Sequence, residues 1–77
     1  MIQLSNHILS DSKIMFGKPV IKNTRITVEL ILEKLADGYS FQDLLNAYAS
    51  ITNDDIKACL LFASEAVKNE ISHQLVH

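Results

Sequence analysis

Lys18, Lys22, Thr24 and Arg25 bring three cations and a hydroxyl into one short stretch of the chain. Cations on an exposed ribbon neutralise backbone phosphates and release counterions. Further along, Asn53 and Lys57 stand four apart at the start of an apolar-periodic run. There the first turn of a helix would offer an amide and an ammonium to a nucleic-acid groove. These six residues form the candidate DNA-binding set. Asp54 and Asp55 lie among them; phosphates repel carboxylates, and both suit the positive end of a helix dipole instead. Contact is therefore expected through the ribbon, with the helix in support. The same residues also admit a plainer reading, in which Lys18 and Lys22 are merely solvated. Arg25 would then bridge to Asp11, to Asp37 or to the carbonyls of its bend.

Other chemistries find less support. His73 and His77 are four apart, as two metal ligands on a helix would be, but no third ligand accompanies them. His7 stands alone and reads as a surface residue. Cys59 is the single cysteine and falls on an apolar stripe, where a thiol packs as a small hydrophobe. No nucleophile-bearing turn or Gly-rich phosphate loop is visible. No catalytic residue, metal or cofactor is expected, and the chain does not read as an enzyme.

The elements that position the cations follow from local patterning. Residues 1–27 read as a β-ribbon with turns. Ile8-Leu9 precedes a Ser-Asp-Ser turn, and Lys13–Phe16 is a second candidate strand. Val20-Ile21 and Arg25–Thr27 flank a bend in which Asn23 suits a positive φ. Thr27 is placed to cap a first helix, with Val28, Ile31, Leu32 and Leu35 as its apolar stripe and Gly38 as its stop. Ser40 with Asp43 approximates a capping box for a second helix, whose stripe is Phe41, Leu44, Leu45 and Tyr48. Thr52 with Asp55 opens a third helix of about 18–20 residues. Its expected face is Ile56, Cys59, Leu60, Ala63 and Val67, extended by Ile71. The class predicted is mainly α with a short N-terminal β-ribbon: a three-helix homeodomain-like or winged helix-turn-helix domain over residues 1–77, with 28–77 as its helical body.

Composition bounds the rest. A chain of 77 residues that is 48% hydrophobic, with two Gly and one Pro, reads as a folded domain and not as a disordered one. At this length a monomer buries only about 60% of its unfolded surface, so a homodimer or a stable complex is expected. Apolar residues persist to the end of the sequence. Phe62, Val67, Ile71, Leu75 and Val76 are the candidate partner or dimer surface, or else a docked final helix. The net charge of −2 hides an asymmetry: residues 1–27 carry +3 and residues 28–77 carry −5, a split that hints at a polyanion-binding arm. Signal-peptide and membrane-spanning patterns are absent from the sequence, and a lone cysteine suits a reducing compartment, so a cytoplasmic setting is expected.

Gly17-Lys18-Pro19-Val20-Ile21, Thr24-Arg25-Ile26-Thr27-Val28, Ile31-Leu32 and Leu35-Ala36-Asp37-Gly38 together resemble a small bacterial and archaeal family, the domain of unknown function numbered 433. The likeness continues through Tyr48, Ile51-Thr52, Asp54-Asp55-Ile56, Ala58 and Ala63, about residues 8–65. The chain departs from the family pattern at Asp11-Ser12 (usually Asp-Pro), at Asn23 (usually Gly) and at Tyr48-Ala49 (usually Tyr-Pro). Family members are similar to VapB-type antitoxins. The resemblance thus implies a homeodomain-like or winged helical fold, partnership with a PIN-like ribonuclease toxin, and autoregulation through operator DNA. From the residues alone, a homodimeric protein-interaction adaptor with no DNA role stands beside that reading.

Overall fold

The computed structural model describes the backbone of residues 1–75 and the side chains of residues 1–69. Three short strands, β1 (Ile2–Gln3), β2 (Ile8–Ser10) and β3 (Val20–Ile21), precede three helices, α1 (Val28–Ala36), α2 (Phe41–Ala47) and α3 (Asn53–Leu75). The strands form an antiparallel sheet in the order β1-β2-β3. Its register pairs Gln3 with Leu9, and Ile8 with Ile21. The expected class holds at this level: a mostly helical protein with three helices and a small N-terminal sheet.

Two features of the ribbon differ from expectation. β1 enters as a strand that two residues of sequence could not signal. Lys13–Phe16 is not a strand. Ile14 only bridges back to Asp11, and Met15–Gly17 form a single 3-10 turn. Met15 (φ 49°), Phe16 (φ 59°) and Gly17 (φ 81°) are all left-handed. That conformation costs an L-residue about 1–2 kcal/mol, so apolar side chains that favour strands point sequence reasoning the wrong way here. The bend at Asn23 (φ 65°) is as expected. Ile21 N–H donates to the Ile26 carbonyl at 2.8 Å, and Val20 bridges to Thr27, which closes the turn.

The helix boundaries are set by side chains that satisfy free backbone groups. Thr27 Oγ1 accepts from Leu30 N–H at 3.0 Å. α1 ends in a Schellman motif: Gly38 N–H donates to Leu35 O at 3.1 Å and Tyr39 N–H to Lys34 O at 3.0 Å. Gly38 has φ 100°, so the motif depends on its missing Cβ. Ser40 and Asp43 form the reciprocal capping box of α2. Thr52 and Asp55 do the same for α3, with bonds of 3.2 and 2.9 Å.

The core lies where the sheet meets all three helices. Ile8, Ile21, Val28, Ile31, Leu44, Ile51, Ile56 and Cys59 are buried in one cluster, and Leu32, Leu35, Phe41, Leu45, Tyr48 and Phe62 pack against it from its edge. α3 outruns this core. Ile56 and Cys59 are buried and Ala63 is half-buried, but Leu60 and Val67, expected on the same face, are exposed. A helix of 23 residues is about 34 Å long, whereas among the described residues its core packing is confined to the first three turns. The radius of gyration, 13.2 Å, exceeds the roughly 11–12 Å of a compact chain of this length.

Candidate nucleic-acid interface

The six cation-bearing or polar candidates do not act as one ribbon. β3 separates them. Lys18 precedes the strand and Lys22 follows it, four extended residues or about 13 Å apart. Lys18 Nζ sits 3.4 Å from Glu29 Oε1 at the start of α1. Both side chains are more than half exposed, so this pair contributes at most about 1 kcal/mol and leaves the ammonium exchangeable. Lys22 and Arg25 are exposed on the bend. Neither has a carboxylate within 4 Å among the described residues, and the bridges from Arg25 to Asp11 or Asp37 that the plainer reading required are not formed.

Thr24 belongs to the turn itself. Its hydroxyl donates to Ile21 O at 2.7 Å and accepts from Ile26 N–H at 2.9 Å. That locks the bend and leaves little of the hydroxyl for a ligand. Thr24 thus fixes the backbone of the bend that carries Lys22 and Arg25.

The bend lies beside the start of α3. Lys22 N–H donates to His7 O at 2.8 Å, and the His7 ring Nδ1 lies 2.9 Å from Asp55 Oδ1. His7 is therefore not an isolated surface residue. It ties the β1–β2 turn to the first turn of α3, across 48 residues of sequence. Asp55 uses its second oxygen for the Thr52 cap. One of the two carboxylates that opposed a DNA reading is thus already satisfied by a cap and a ring nitrogen. On the other side of the bend, Asn23, Thr24 and Arg25 line a shallow depression with Met1, Leu9, Ile14, Ile26 and Ser50. Ser50 belongs to the α2–α3 connection, three residues before Asn53. Asn53 and Lys57 are both exposed on the first turns of α3. The bend that carries Lys22 thus meets the first turn of α3 through His7 and Asp55, whereas Asn53 and Lys57, each two residues from Asp55, fall on the other face of that helix; Lys18 stands apart from both.

The expected partner surface is divided as well. Phe62 is half-buried and packs on the core, although it also borders two grooves, one on each side of α3. Val67 is 54% exposed. It lines the groove between α1 and α3 with Pro19, Val28, Leu32 and Ala63. Leu61, 62% exposed, lines the opposite groove with Leu4, Ala58 and Ala66. The side chains of Ile71 and Leu75, and Val76 entirely, lie outside the described residues, as do the side chains of His73 and His77. By sequence Leu61 falls off the main stripe with Phe62, to pack on α1 or to join a dimer face; the structure exposes it over this groove. Sequence reasoning missed Phe16, which is 96% exposed.

Cys59 is buried, and its thiol is pushed up to about 11, first by that burial and then by the charge of Asp55. It is held as a neutral packing group and offers no thiolate near neutral pH. No described helix is long and apolar enough to cross a membrane.

A family model described as a protein of unknown function (DUF433) matches residues 8–63. Among solved structures, a DUF433 member protein from Anabaena variabilis matches with a TM-score of 0.75 at 26% sequence identity, over 96% of this chain and 72% of that one. No curated protein matches the chain.

Proposed function

The chain belongs to the DUF433 family, and from that premise we propose that it is the antitoxin-like component of a bacterial toxin–antitoxin pair. In this reading it is a non-enzymatic, cytoplasmic homodimer that neutralises a PIN-like ribonuclease and binds operator DNA as an autoregulator. Its helices α2 and α3 act as a helix-turn-helix, with Ala49–Ile51 as the turn between their caps, and the N-terminal sheet acts as a wing.

The observation that carries the reading is a pair of unlike surfaces. Lys22 and Arg25 stand exposed on a locked bend that His7 ties to the start of α3. Along the middle of α3, Leu61 and Val67 expose apolar area over two grooves, one on each side of the helix. Cations on a rigid turn suit a phosphate backbone, and an apolar helix surface suits a protein partner. The family match ends at residue 63, where α3 leaves the core, while the structural match, covering 96% of the chain, runs beyond it. A stretch of α3 whose sequence lies outside the family pattern is suited to partner-specific recognition.

Two observations favour the second reading, a homodimeric adaptor without a DNA role. Lys18 is engaged by Glu29, and Asp54 and Asp55 add negative charge at the start of α3.

Two measurements test the proposal. The protein should co-purify with the product of the neighbouring open reading frame and suppress its ribonuclease activity. Substituting Leu61→Ser with Val67→Ser should abolish both effects. It should also retard DNA from upstream of its own gene, and that shift should fade as salt is raised. Ribonuclease suppression without any shift, with or without the partner present, would select the adaptor reading.

A further inference from the structure

We propose that Phe16 is an aromatic wedge that stacks on an unstacked base step of nucleic acid and extends the contact surface beyond Lys22 and Arg25; this rests on the DNA-binding part of the proposed function. Phe16 is 96% exposed, the highest exposure of any large hydrophobic side chain described. It is not loose. Ser10 Oγ donates to Gly17 O at 2.6 Å, Gly17 N–H to Ile14 O at 3.1 Å and Lys18 N–H to Met15 O at 3.1 Å. These bonds hold Met15 and Phe16 in left-handed conformations that bulky L-residues seldom adopt. A loop that keeps a strained backbone in order to hold an aromatic ring in water is organised in advance for a ligand.

The surroundings indicate the kind of ligand. Lys13 and Lys18 stand three and two residues from Phe16 in sequence, and both are exposed; Lys18 is held only by its exposed pair with Glu29, and Lys13 has no carboxylate within 4 Å among the described residues. Asp11, the carboxylate of this loop, is turned onto the Lys13 N–H at 2.9 Å. An exposed aromatic ring on a loop that carries two lysines suits a base and its neighbouring phosphates, the combination by which proteins hold single strands or open a duplex step. The loop is also continuous with the basic bend. Ile14 lines the same depression as Thr24 and Arg25, so Phe16 lies two residues beyond the rim that Arg25 shares.

The chain has no tryptophan, which makes Phe16→Trp a unique fluorophore at the tip. Its emission should be quenched when DNA from upstream of the gene is added, and an oligothymidine strand, tested in parallel, shows whether single-stranded bases suffice. Phe16→Ala should lower affinity about 5- to 150-fold, the range that loss of one base–aromatic stack produces, with Phe16→Trp restoring it. Because Phe16 packs on almost nothing, neither variant should change the unfolding midpoint. Wild-type binding that Phe16→Ala leaves intact would overturn the wedge while sparing the basic bend. Failure of the wild type to bind either nucleic acid would overturn both. A Phe16→Ala variant that loses self-association or partner binding, with DNA affinity unchanged, would assign the ring to a protein contact instead.

Discussion

The two halves of α3 share one backbone and little else. From Asn53 to Ala63 the helix is anchored. A capping box fixes its start, Asp55 reaches His7, and Ile56 and Cys59 fill the core. From Ser64 to Asn69 every side chain is exposed. A few helical turns on their own are marginal in water, so the second half propagates from the first and has no core contact of its own among the described residues. The contrast shows that, among the described residues, core packing along α3 stops near Ala63, and that Ser64–Asn69, with Val67 in this stretch, face outward.

The largest expected effect breaks the anchored half. Ile56→Ala should lower the unfolding free energy by about 2–5 kcal/mol in urea titration, since it empties a fully buried site in a small core. A loss below about 1 kcal/mol would mean that this part of the helix is not the keystone described here.

Next in size is a pH effect on the same half. The Cys59 thiol ordinarily titrates at 9.0 and is raised to about 11 in the fold. Below pH 9 both folded and unfolded thiols are neutral and contribute no pH dependence. Above it the unfolded chain releases a proton that the folded chain retains, so stability should fall between pH 9 and 11 by up to about 2–3 kcal/mol. Cys59→Ala should flatten that segment of the stability–pH curve; an unchanged slope would place the thiol in water.

Removing the cap is expected to matter less. Asp55→Ala loses the Thr52 box and the His7 tie together and should cost about 1–2 kcal/mol, measurable as a lower urea midpoint. The smallest stability effect belongs to the other half. Val67→Ser should change the unfolding free energy of the isolated chain by no more than about 0.5 kcal/mol. It should nonetheless weaken self-association or partner binding, as followed by sedimentation. Equal costs for Ile56→Ala and Val67→Ser would erase the distinction between the halves.

Much of this architecture was legible because it is local. Thr27, Ser40 with Asp43, and Thr52 with Asp55 announce helix starts within four residues, and Gly38 and Asn23 occupy the left-handed positions expected of them. What was hidden is non-local or contrary to propensity. β1 is too short for a period to show, and His7 finds Asp55 only through the fold. The left-handed turn at Met15 and Phe16 runs against what those side chains usually prefer. The cationic candidates were legible as types but not as an arrangement. Only the strand between Lys18 and Lys22, together with Glu29, shows that one of them stands apart. The exposed Leu60 and Val67 show the same limit, since periodicity marks a face but not where the core stops.

Binding of the upstream DNA as a function of salt, compared between the wild type and a Lys22→Ala, Arg25→Ala double variant, tests the basic bend most directly. The wild type should lose affinity steeply as salt rises. The double variant should bind more weakly, with a logarithmic salt slope shallower by about one for each cation removed per protomer bound. Identical affinity and slope in the two proteins would contradict the account.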